Sequence, residues 1–160
     1  MIKILGALTI AFVSVILGKK LCVPYEKTLK IYDSLVDFVA FVKDGVERRR
    51  EILPELFSEY EDENLKDFLS VLKKSPADVS SAFKAACSSL DVTEKTEKEL
   101  LFFASTLGKT DYESEVAELS ALLSTVKTER DALYNTLPKK IKSIKTVSLL
   151  CGVLAVIIMF

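Results

Sequence analysis

The chain has 160 residues, 49% of them hydrophobic and 28% charged, with a mean hydropathy of +0.27. That length suits one compact unit, and that apolarity excludes a disordered chain. Lys and Arg total 22 against 23 Asp and Glu, so there is no global positive field to hold a phosphate backbone, and no nucleic-acid partner is expected. Histidine is absent, which removes the commonest general base and the commonest metal ligand.

From Ile4 to Gly18 no residue is charged, and the same holds from Thr146 to Phe160. Each run is about 15 residues, short for a span, but flanking lysines extend the effective length by snorkelling. Residues 1–21 are therefore read as an N-terminal transmembrane helix and 146–160 as a C-terminal one, with 22–145 between them. The competing reading is a pair of buried terminal helices in a soluble bundle. A cleaved secretory signal is disfavoured because Gly18-Lys19-Lys20-Leu21-Cys22 offers no small-x-small cleavage site. Lys19 and Lys20 follow the first run, and Lys139, Lys140, Lys142 and Lys145 precede the second. Both basic flanks face the central region, which places it on the cytoplasmic side of the cell membrane with these lysines at its surface. Gly6, Gly18 and Gly152 would allow close packing of a two-span hairpin.

The central region reads as helix throughout. After Pro24, Ile31, Leu35, Phe38 and Val42 recur at helical spacing, and Gly45 marks an interruption or an end. Arg48, Arg49 and Arg50 read most simply as a solvated helix face, with a partner-docking patch as the alternative. A short helix from Glu55 would turn Leu56 and Phe57 inward before an acidic connection at Glu59 to Glu63. Leu65, Phe68, Leu69 and Leu72 predict another helix. Ser75, Pro76 and Asp78 predict the next start, with Val79, Phe83, Ala86 and Leu90 along its inner side. Asp91 is the expected cap of a helix lined by Leu100, Leu101, Phe103, Ala104 and Leu107. Gly108 looks like a helix stop and Thr110 like the following N-cap, with Glu113 in the capping-box position. Val116, Leu119, Leu123, Val126, Arg130, Leu133 and Leu137 then alternate three and four apart, a coiled-coil spacing that the charged Arg130 breaks. A long helix packed on its own bundle is the simpler reading, and a homo-oligomer through the stripe is the alternative. Pro138 is expected to kink or end this helix.

Catalytic and cofactor signatures do not emerge. Glycine occurs only at positions 6, 18, 45, 108 and 152, too sparsely for a phosphate loop. The acidic residues lack calcium-loop spacing. Cys22, Cys87 and Cys151 are scattered, forming neither a zinc cluster nor a disulfide framework, and Cys87 among small apolar neighbours reads as a quiet core thiol. No catalytic residue, cofactor site or metal site is assigned.

Three segments carry a resemblance: the opening Ile4-Leu5-Gly6-Ala7 run, the Leu107-Gly108-Lys109-Thr110-Asp111 turn, and the closing Ser148-Leu149-Leu150-Cys151-Gly152-Val153-Leu154 segment. Through them the chain resembles, over nearly its whole length, the stage III sporulation protein AB family of endospore-forming bacteria. It departs at Glu115, where family members commonly carry Gln, and at Pro138, where a more continuous helix is expected. The resemblance implies an all-α, membrane-anchored helical bundle related in architecture to the cytoplasmic domains of type II secretion platform proteins. It implies a structural, non-enzymatic component of a secretion-like assembly between mother cell and forespore, with its bundle on the mother-cell side. The implied partners are a cytoplasmic secretion-type ATPase and other stage III sporulation proteins. Gly108, Lys109, Thr110 and Asp111, as a shape-setting turn, and Arg48, Arg49 and Arg50, as a charged patch, are the candidate interaction residues. A membrane-anchored helical adaptor outside sporulation shares the same topology and is the alternative.

Overall fold

The computed structural model describes residues 2–74, 78–107 and 111–159. Among these the protein is all-helical, with no strand: α1 (Ile2–Asp44), a π-helical turn (Gly45–Arg49), α2 (Leu53–Glu59), α3 (Lys66–Lys74), α4 (Val79–Cys87), α5 (Glu94–Thr106) and α6 (Tyr112–Met159). Two compact units result, Met1–Lys27 with Leu133–Phe160, and Thr28–Ala132.

The first unit is a helical hairpin. Ser14 Oγ donates to the Ser148 carbonyl, and Cys22 Sγ lies 3.8 Å from the Ile141 carbonyl. Partner numbers fall as α1 advances, so the two segments run antiparallel. A Cβ added at Gly18 would stand 2.9 Å from Ser148 Cβ, closer than carbon atoms pack, so the lack of a side chain sets the approach. The outer faces stay apolar: Phe12, Leu17, Leu21, Leu150, Leu154 and Ile158 are all exposed. Among the described residues α6 is long and apolar enough to cross a membrane, and only 6% of its most apolar window is buried. A core helix of a soluble bundle would be mostly buried there, so this exposed apolar surface suggests membrane association.

Neither proline ends a helix: Pro24 lies inside α1, and Pro138 lies inside α6, which rules out the end expected there as the alternative to a kink. A proline within a helix removes one backbone donor and costs about 3 kcal/mol. Packing of the adjoining turns, where Cys22 and Leu137 are buried, outweighs that cost.

The second unit is built around aromatic rings. Ile31, Leu35, Phe38 and Val42 form a buried stripe of α1, as the spacing predicts, and Tyr32 and Val39 are buried beside them. Phe38 meets Phe68 edge-on at 5.5 Å, Phe68 meets Phe83 at 5.5 Å, and Phe83 meets Phe103 at 5.6 Å. One chain of edge-to-face contacts thus joins α1, α3, α4 and α5, a geometry that matches ring edges to ring faces. The expected inner faces hold at Phe83, Ala86, Leu100, Phe103, Ala104 and Leu107. On the part of α6 within this unit the buried positions are Leu119, Leu122 and Val126, so the seam runs through Leu122, while Leu123 is only partly buried.

The helix starts follow capping chemistry. Asp62 Oδ1 accepts from the Asn64 and Leu65 amides ahead of α3. Asp78 accepts from the Ser81 amide at the start of α4, while Ser75 and Pro76 lie outside the described residues. For α5 the cap is Thr93, accepting from the Thr96 amide, not Asp91. Tyr32 decides this: its fully buried hydroxyl accepts from the Thr93 amide at 3.0 Å and donates to Thr96 Oγ1 at 3.0 Å. A polar group buried in a core needs such partners, and among the described residues Thr93 and Thr96 supply them.

Candidate functional site

In the second unit a cleft of about 900 Å³ opens where several helix ends converge. One wall is the segment after the π-helical turn, Arg50, Glu51 and Ile52, leading into Pro54 of α2. The other comprises the start of α4 at Asp78 to Ser80, the end of α5 at Leu107, and the start of α6 at Tyr112 and Glu115.

The first wall takes its shape from Gly45 and Arg50. A Cβ at Gly45 would collide with the side chain of Leu56, itself fully buried, so the chain passes over α2 only with glycine there. The turn then closes on Arg50, whose amide donates to the Gly45 carbonyl. Arg50 has φ 52° and ψ 34°, and among the described residues it alone combines a side chain beyond Gly with positive φ. This left-handed conformation is disfavoured for a residue with a Cβ. It directs the chain so that Ile52 is 60% exposed beside the cleft, an apolar group without cover.

The second wall is tied to the first. The Arg50 guanidinium lies 5.8 Å from the Tyr112 ring centre, and the Tyr112 hydroxyl donates to the Glu47 carbonyl at 2.9 Å. Asp111, just ahead of Tyr112, accepts from Ser114 Oγ at 2.6 Å. That bond, with backbone donors, holds its carboxyl below the usual aspartate value. Asp78 is likewise held low by its Ser81 bonds. Glu115 behaves oppositely: burial, and secondarily the charge of Glu118, push its carboxyl above the ordinary value. Glu51 lies 3.4 Å from Arg49. The cleft therefore presents carboxylates at Glu51, Asp78 and Glu115 around one guanidinium and an apolar floor. Such a surface suits recognition of a protein segment.

The three arginines do not form one patch. Arg48 pairs with Asp44 at 2.8 Å. Arg49 lies over the Phe41 ring, 3.4 Å from both Glu51 and Glu59. Only Arg50 reaches the cleft. Gly108, Lys109 and Thr110 lie outside the described residues, but Leu107 and Tyr112, which bracket the turn, both line the cleft. Arg50 and the Asp111 end of the turn thus come to one place. Tyr112, Ile52 and Glu51 were not singled out by sequence; the signal was an isolated apolar Ile52 between a charge run and Pro54.

In the hairpin, Lys19, Lys20, Lys139, Lys140, Lys142 and Lys145 are all exposed. Among the described residues Lys145 alone of these meets a carboxylate, Glu26 at 3.8 Å. Cys87 is a core thiol that burial, with the Glu97 charge, pushes up to about 12, far from a reactive thiolate. Among the described residues no group of three or more His, Cys, Asp or Glu is placed to hold a metal ion.

No curated protein matches the chain, and no solved structure does. The family model for stage III sporulation protein AB matches residues 3–160, a span that takes in both helices of the hairpin and every element of the second unit. By that match the chain belongs to the stage III sporulation protein AB family.

Proposed function

We propose that the protein is a structural, non-enzymatic membrane component of a sporulation-specific, secretion-like complex between mother cell and forespore. Residues 1–21 and 146–160 span the membrane, and residues 22–145 form a cytoplasmic bundle on the mother-cell side, of the architectural kind found in type II secretion platforms. The bundle docks a cytoplasmic secretion-type ATPase through the cleft at Arg50 and Tyr112. The observation that carries this reading is the match of residues 3–160 to the family. The lipid-suited hairpin supports the anchored part of it, and the mixed apolar and charged cleft supports a protein partner.

Affinity capture of the tagged full chain from detergent-solubilised membranes, comparing sporulating with vegetative cells, tests it. The expected result is specific recovery of a secretion-type ATPase and other stage III sporulation proteins from sporulating cells, with ATPase recovery reduced by Arg50→Glu. Stable capture of a different complex, equally from both cell states, would contradict the sporulation role and favour a general membrane adaptor.

A further inference from the structure

The hairpin unit carries Lys3, Lys19, Lys20, Lys27, Lys139, Lys140, Lys142 and Lys145 against the single acid Glu26, a net charge of +7. Because Gly18 stands against Ser148 and Cys22 against Ile141, Lys19 and Lys20 fall at the level of Lys142 and Lys145. Below that level α6 is uncharged from Thr146 onward. The belt therefore lies where hydrocarbon meets headgroups.

On one face of α6 this belt has a shaped groove of about 440 Å³, lined by Pro138, Ile141, Lys142, Lys145, Thr146 and Leu149. These positions follow helical spacing, so two ammonium groups stand over a continuous apolar stripe. Lys142 has no ion-pair partner among the described residues, and Lys145 has only the 3.8 Å contact with Glu26. The Thr146 hydroxyl is already engaged, donating to the Lys142 carbonyl at 2.9 Å. The stripe continues toward the membrane interior through exposed Val153 and Ile157.

We infer that this face binds an anionic phospholipid, its phosphate held by Lys142 and Lys145 and an acyl chain laid on Leu149, Val153 and Ile157. Two cations with one distant carboxylate between them, Glu26 at 3.8 Å from Lys145, select a negative headgroup, and the apolar stripe below them fits an acyl chain. A free phosphate would satisfy the lysines but gain nothing from Leu149 and the turns beyond. Pro138 and Ile141 line the groove at its end away from the uncharged run.

The site rests on the membrane reading given above, and the experiment separates the two. The full chain is reconstituted into phosphatidylcholine vesicles and floated, then released in mild detergent. Native mass spectrometry follows, with phosphatidylglycerol, phosphatidylcholine or inorganic phosphate added. The expected result is flotation with the neutral vesicles and retention of phosphatidylglycerol over phosphatidylcholine by about tenfold or more. K142Q/K145Q should abolish the preference, K139Q/K140Q should leave most of it, and E26Q should strengthen it by releasing Lys145. A merely structural Glu26–Lys145 pair would instead weaken on E26Q. Flotation without headgroup preference, or equal losses in both lysine pairs, overturns the site while leaving the anchor standing. Failure to float overturns both. Phosphate displacing the lipid at equal concentration would mark an anion site without an acyl component and overturn the lipid assignment.

Discussion

Arg50 adopts a left-handed backbone without being glycine, and that conformation costs about 1 kcal/mol or more. Its guanidinium recovers part of this over Tyr112, where an exposed cation–π contact contributes about 0.5–1 kcal/mol. Arg50→Gly should therefore leave stability nearly unchanged, while Arg50→Ala, which keeps the strain and loses the contact, should lie about 1 kcal/mol below it in urea unfolding. Equal midpoints for the two would remove the strain argument. Glu115 supplies a pH test. Its folded carboxyl titrates above the ordinary 4.5 because burial, and then Glu118, disfavour its charge. The charged form is thus the destabilised one, so the penalty is present above the folded value and disappears as pH falls below 4.5. Glu115→Gln should be slightly more stable than the parent at pH 7, by less than about 1 kcal/mol given its partial exposure, and no more stable at pH 4. A gain that persists in acid would contradict this.

Among the elements, the π-helical turn is the most dependent on one residue. Gly45→Ala would drive a methyl into Leu56, and overpacking of this kind costs about 1–3 kcal/mol. Denaturant unfolding should register that loss, and Gly45→Ala should cost less in a Leu56→Ala background than in the parent; additive losses would mean the two do not touch. The helices themselves were legible because each buries one apolar stripe, and the buried rings at Phe38, Phe68, Phe83 and Phe103 sit where the spacing puts them. Local punctuation was less legible. Pro138 looks like a kink or an end in sequence, yet α6 continues through it, as α1 does through Pro24. Thr93 displaced Asp91 as a cap because Tyr32, 61 residues away, claims the Thr93 amide, a partner that no local pattern contains. The cleft was half legible for the same reason. Arg50 and the turn near Asp111 stand out in sequence, but only the fold brings Arg50 over Tyr112 and separates it from Arg48 and Arg49.

For the whole molecule, a net charge of -1 conceals a division of charge. The hairpin unit holds +7, while residues 28–132 carry 14 basic against 22 acidic residues, a net of -8. The basic unit is drawn to an anionic leaflet, and the acidic unit is not. Apolar exterior, basic belt and acidic bundle agree with the placement proposed above, the hairpin in lipid and the bundle in cytoplasm. Thiol accessibility tests this most directly. Cys22 and Cys87 are buried, and Cys151 is exposed only within the apolar face of the hairpin, so the parent chain is a natural blank. A cysteine placed by Ser58→Cys, on the exposed side of α2, should react with a membrane-impermeant maleimide in inverted vesicles and not in intact protoplasts, while the parent reacts in neither until denatured in detergent. Labelling of that cysteine in intact protoplasts, or recovery of the chain in the soluble fraction, would contradict the assignment.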